Sequence, residues 1–116
     1  MTIAGTYNII CDQGATFGRT ITWKDSTGTP VNLTDYTARM QVRSIVSSTD
    51  VAVELTTENS RISLGGVLGT ITLSIPSTVT DDITAGSYAY DLEMVTSTTV
   101  TRLLMGSFTV RGEVTR

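Results

Sequence analysis

The sequence contains no histidine. That removes the commonest general base near neutral pH, the Ser-His-Asp and Cys-His nucleophile systems, and most transition-metal sites. A single cysteine, Cys11, excludes an internal disulfide and any cysteine-based zinc cluster built from this chain alone. It follows Ile9 and Ile10 and precedes Asp12, so it reads as a small buried hydrophobe and not as an activated thiol. Charged residues are only 16% of the 116, and the net charge is −3. The basic residues are scattered at Arg19, Lys24, Arg39, Arg43, Arg61, Arg102, Arg111 and Arg116, with no basic run. Nucleic acid is therefore not an expected partner. No apolar run approaches the ~20 residues of a membrane-spanning helix. The first residues lack the basic-then-apolar pattern of a signal peptide, so neither a membrane nor a leader is expected. Gly65-Gly66 has no following Lys-Ser/Thr, so it does not make a phosphate-binding loop.

What the chain does have is apolar residues, 40% of the total, and abundant Thr and Ser. Its length suits one domain, 1–116, with a core of its own. Apolar and polar residues alternate along most of it. Phe17, Ile21 and Trp23 share one strand face, and Ala38, Met40 and Val42 another. Val53 and Leu55 follow the same rule, as do Ile71, Leu73 and Ile75, and then Tyr90 and Leu92. Each run is the pattern of a half-buried strand. Polar turns at Asp25–Pro30, Val46–Asp50, Glu58–Arg61, Gly65–Gly69 and Thr96–Thr99 separate them. The spacing predicts an all-β fold: an antiparallel, immunoglobulin-like sandwich of seven to eight strands. Pro76–Gly86 breaks the alternation. It predicts one short helical crossover, with Ser77, Thr78 or Thr80 as N-cap and Gly86 as stop. The expected core adds Ile9, Leu33, Leu104, Phe108 and Val110.

The residues that remain for chemistry are carboxylates. Asp81-Asp82 read as complementing a helix N-terminus, since adjacent acids lack the alternating spacing of a calcium loop. Asp91 and Glu93 read as a solvated strand face. No catalytic, metal or cofactor residue is expected, and neither is a small-molecule substrate. Arg19 and Arg102 fall on the inward faces of their strands, where each needs a carboxylate; Asp12, Asp25 and Asp91 are the candidates if a strand shift or bulge turns one inward, and an interface with another chain would satisfy them too. The polar tips of Trp23 and Tyr90 are expected to meet water. Sugar binding would have to use Tyr7-Asn8 or Tyr36. The last strand carries apolar residues on both faces. Leu103 and Met105 point outward if Leu104, Phe108 and Val110 point inward. Leu103, Met105, Arg111, Glu113 and Arg116 are therefore the candidate protein interface, unless the strand is covered on both faces within the fold.

Several segments carry a resemblance. They are Gly14-Ala15-Thr16-Phe17, Ile21-Thr22-Trp23-Lys24-Asp25, Pro30-Val31-Asn32-Leu33-Thr34 and Tyr36–Arg43, then Gly69–Leu73, Ala85–Leu92 and Arg102–Val110. Together they resemble small virion proteins of tailed phages and the N-terminal β-sandwich domain of phage baseplate upper proteins, over nearly the whole chain. The resemblance implies a non-enzymatic virion structural protein in multiple copies, made in the host cytoplasm. It would serve as a tail, baseplate or neck component whose partners are other virion proteins and copies of itself. Capsid decoration and a carbohydrate-binding adhesion module are the alternatives.

Overall fold

Threonine and β-branched residues at alternate positions stiffen the backbone into strands and give each strand one apolar face. The computed structural model describes residues 5–115 and folds those strands into two sheets. The strands are β1 (Gly5–Thr6), β2 (Ile9–Asp12), β3 (Phe17–Thr22), β4 (Thr37–Arg43), β5 (Val53–Thr56), β6 (Ile62–Leu64), β7 (Thr70–Ile75), β8 (Gly86–Val95) and β9 (Val100–Arg111). The larger sheet has the order β1/β2–β9–β8–β4–β5 and the smaller β3–β7–β6. The fold is an immunoglobulin-like sandwich, with the last two long strands and β4 in one sheet and β3, β6 and β7 in the other. Tyr88, near the start of β8, donates its hydroxyl to the Thr84 carbonyl at 2.5 Å, the tyrosine-corner bond of such sandwiches.

The pairing departs from the purely antiparallel expectation at one edge. β1 and β2 both run parallel to β9, in one register from Gly5↔Leu104 to Asp12↔Arg111. They are a single edge strand interrupted at Tyr7-Asn8. There the Asn8 side chain accepts the Ser107 N–H, and the Tyr7 carbonyl accepts the Tyr90 hydroxyl. Tyr90 is therefore a core residue with a protein partner, and its tip is not wet as the sequence led us to expect.

The core lies between the sheets. Phe108 sits at its centre, tilted against Phe17 at 5.7 Å and edge-on to Tyr90 at 6.5 Å. Ala38, Met40 and Val42 of β4 meet Ile71, Leu73 and Ile75 of β7 in the same cluster. Met94 continues the buried face of Tyr90 and Leu92, as the alternation expects, and Ile62 and Ile83 are buried too, although the alternation did not single them out. Ile21, Trp23 and Leu104, expected in the core, pack against its margin and stay partly exposed.

The helical crossover forms as α1 (Ser77–Thr80), but its ends differ from the expectation. Pro76 is the N-cap and no side chain caps the helix. Thr80 is instead fully buried and donates to the Ala15 carbonyl at 2.8 Å, tying the crossover to the turn before β3. Asp81 and Asp82 follow the helix, so they do not complement its N-terminus. Gly86 opens β8 and does not stop the helix.

Candidate functional site

In-register strands place partner residues on the same face, so cross-strand pairs assemble surfaces that no single segment displays. On the outer face of the larger sheet, one row runs Arg102–Glu93–Arg39 across β9, β8 and β4. The next runs Met105–Asp91–Gln41–Glu54, ending on β5. Arg43 lies beside Ala89 in a third row. These side chains line an open hollow of about 550 Å³, rimmed by Val46 from the β4–β5 loop.

The hollow is charged but balanced. Arg39 pairs with Glu93 at 2.7 Å, and Arg102 with Asp91 at 3.5 Å. Arg43 donates to neutral acceptors, the Gln41 side-chain oxygen and the Ser48 carbonyl, both at 2.6 Å. Gln41 in turn donates its amide to Glu54 at 2.7 Å. Among the described residues, the amide thus stands between a cation and an anion that form no ion pair, although Arg43 lies near enough to Asp91 to favour its charged form. Partial burial pushes the Asp91 carboxyl above the ordinary aspartate value. Glu93 adds to that, and Arg102, Arg39 and Arg43 offset it. Asp91 and Glu93 are thus half-buried and ion-paired rather than freely solvated. Among the described residues no group of three or more acids and Cys could hold a metal ion.

A β-bulge decides which β9 residues reach this face. Leu92 pairs with Leu104, yet Glu93 pairs with Arg102, which leaves Leu103 as an extra residue. The period of two is broken there. Arg102, expected inward, turns outward to Asp91. Leu103, expected to be an outward contact, is partly buried and packs against the core. Met105 remains outward, 43% exposed, at the hollow. The other nominated residues lie elsewhere. Arg111 makes a two-pronged ion pair with Asp12 at 2.6 and 3.0 Å, fastening β2 to β9 and holding the Asp12 carboxyl below its ordinary value. Glu113 donates its backbone N–H to the Gln13 side chain. Arg116 lies outside the described residues.

Two expected partnerships of arginine are replaced by others. Arg19 stays at the seam between the sheets, 5.0 Å over the Phe17 ring, and donates to the Gly18 and Ile10 carbonyls instead of a carboxylate. Asp25 accepts from the Thr27 and Thr29 N–H groups and the Thr27 hydroxyl, organising its own loop. The sugar candidates do not form a platform. Tyr36 is half-buried edge-on against Trp23 at 5.5 Å, and Asn8 is committed to Ser107. Sequence reasoning missed Arg39, Gln41, Arg43 and Glu54 as site residues. Their signal was available: the polar faces of two strands carry opposite charges at matching spacing.

No protein-family model matches the chain, and no curated relative matches it. Among solved structures, it is similar to the endo-beta-1,4-mannanase from Thermotoga petrophila, with 14% identity and a TM-score of 0.51. The match covers 96% of this chain but 18% of the mannanase chain. A VGSC beta subunit, from work on multimeric cell-adhesive interactions, aligns with 10% identity over 99% of this chain and 98% of its own, at a TM-score of 0.42. At such identity the mannanase likeness speaks to the sandwich fold alone.

Proposed function

We propose that this chain is a non-enzymatic structural protein of a tailed-phage virion, a multi-copy assembly or adaptor component of the tail, baseplate or neck. The observation that carries the contact role is the outer face of the larger sheet. It is an open hollow with paired charges and an apolar rim at Val46 and Met105. Paired and partly desolvated charges fix register between protein surfaces. The groups of the hollow that could act as nucleophile or acid and base are its carboxylates, and each is engaged: Glu93 with Arg39, Asp91 with Arg102 and Glu54 with the Gln41 amide. Tyr90, next to Asp91 on β8, points into the core and donates its hydroxyl to the Tyr7 carbonyl. The virion setting rests on the sequence resemblance of the strand and turn segments.

Quantitative mass spectrometry of purified particles tests this reading. The expected result is the chain in a small multiple of three or six copies, on the tail. Hundreds of copies on the shell would assign it to capsid decoration instead, and its absence from particles would end the virion reading.

A further inference from the structure

Arg43 and Glu54, the charges of the hollow that form no ion pair, complement each other, but within one chain the Gln41 amide stands between them. Arg39 and Arg102 already have carboxylates. Among the described residues, Arg43 has the Gln41 oxygen and a backbone carbonyl, and the Glu54 side chain has the Gln41 amide. We infer that the partner of this face is a second copy of the same chain, docked face to face across a two-fold axis with Arg43 of each copy paired to Glu54 of the other. An isologous contact makes that pair twice for one geometric coincidence, and Met105 and Val46 supply its apolar contacts.

Charge favours a second copy over another occupant, and two further observations fit a face-to-face contact. The face holds as many cations as anions, Arg39, Arg43 and Arg102 against Glu54, Asp91 and Glu93, so it complements itself and offers no excess for a polyanion. Its size is adequate. Strands β9, β8, β4 and β5 lie side by side. At ~4.8 Å between strands and ~3.4 Å per residue, they make a face roughly 19 Å wide whose length runs from about 14 Å at β5 to about 41 Å at β9, on the order of 500 Å² in projection, which side-chain relief brings toward the ~800 Å² per partner of a standard interface. Association by extending the sheet at β5 is blocked. Asn59 accepts the Thr56 N–H, and Asn59 and Arg61 both donate to the Glu54 carbonyl, so side chains occupy that edge.

This inference deepens the assembly role proposed above and rests on reading the face as a protein contact. The test is sedimentation equilibrium on the purified chain from micromolar to millimolar concentration. The wild type is expected to reach twice the monomer mass. Arg43→Glu and Glu54→Arg are each expected to weaken dimerisation by about tenfold or more, since each places like charges together. An equimolar mixture of the two single variants is expected to dimerise again. The carboxylate introduced at position 43 of one chain then meets the guanidinium introduced at position 54 of the other. A mixture restores pairs only between chains, so a purely internal effect of either substitution leaves it monomeric. Both substitutions are on the polar outer face, and circular dichroism checks that the fold is kept. A wild type that stays monomeric throughout overturns the inference, as does dimerisation indifferent to either reversal or a mixture that remains monomeric. The two readings fail separately. A monomer found in particles overturns the two-fold contact and leaves the virion role, while a dimer missing from particles does the reverse.

Discussion

At the scale of single residues, the tightest constraint on the edge strand is at Gly106. A Cβ there would sit 2.5 Å from the Tyr7 carbonyl oxygen and 2.9 Å from the Asn8 side-chain oxygen. That closeness lets the Tyr90 hydroxyl, facing Gly106 across the β8–β9 pair, reach the Tyr7 carbonyl. Gly106→Ala is expected to cost about 1–3 kcal/mol by forcing the edge strand away. Tyr90→Phe removes one hydrogen bond and is expected to cost about 1 kcal/mol. Urea denaturation midpoints check both, and an undisturbed Gly106→Ala would mean the edge strand does not depend on this approach. Cys11 makes a second residue-scale prediction. Burial, then the Asp12 charge, push its thiol above the ordinary cysteine value, with Arg19 only partly offsetting them. Alkylation of the native protein at neutral pH should therefore follow unfolding and be accelerated by urea in step with loss of structure. Rapid labelling without denaturant would contradict the burial.

At the scale of elements, β9 shows what alternation reveals and what it hides. The pattern found Phe108 and Val110 inside because no irregularity lies beyond Gly106 on that side. It misplaced Arg102 and Leu103 because one extra residue in a strand reverses the face of everything before it, and a bulge has no compositional mark in Thr101-Arg102-Leu103-Leu104. The helix ends were misread for a related reason. Thr80 looks like a cap in sequence, but its hydroxyl is used by a residue 65 positions away. The contact face was half legible. Asp91, Glu93 and Met105 were visible on their strands, while the partnership with Arg39, Gln41 and Glu54 depends on register that only tertiary structure supplies. Leu103→Asp is accordingly expected to destabilise the fold by about 2 kcal/mol or more, because it puts a charge against the core. Met105→Asp is expected to stay within about 1 kcal/mol of wild type. Equal losses in thermal or urea unfolding would mean that Leu103 and Met105 face the same environment, against the bulge.

The edge strand also sets a pH dependence. The Asp12 carboxyl is lowered chiefly by its hydrogen bond with Arg111, so its contribution is present above the unfolded value and is lost as pH falls through the folded one. Asp91 has the opposite sign. Its raised value means stability that is full below the unfolded value and declines as pH rises through the folded one. Asp12→Asn should flatten the acid limb of stability against pH, and Asp91→Asn should steepen the net loss on acidification. Urea midpoints measured across the carboxylate range check the two signs, and identical profiles would contradict them.

At the scale of the whole molecule, the protein is a sandwich whose larger sheet carries an open hollow on its outer face, the face proposed above to take a partner. The apolar core accounts for the fold; in the proposed contact, the balanced charges outside it would serve specificity more than stability, since exposed ion pairs contribute little on their own. The most direct measurement is incorporation of Met105→Asp protein into particles, scored by mass spectrometry alongside a circular dichroism spectrum of the purified variant. The expected result is a folded protein that is depleted from particles. A folded Met105→Asp variant incorporated as fully as the wild type would rule out this face as the contact.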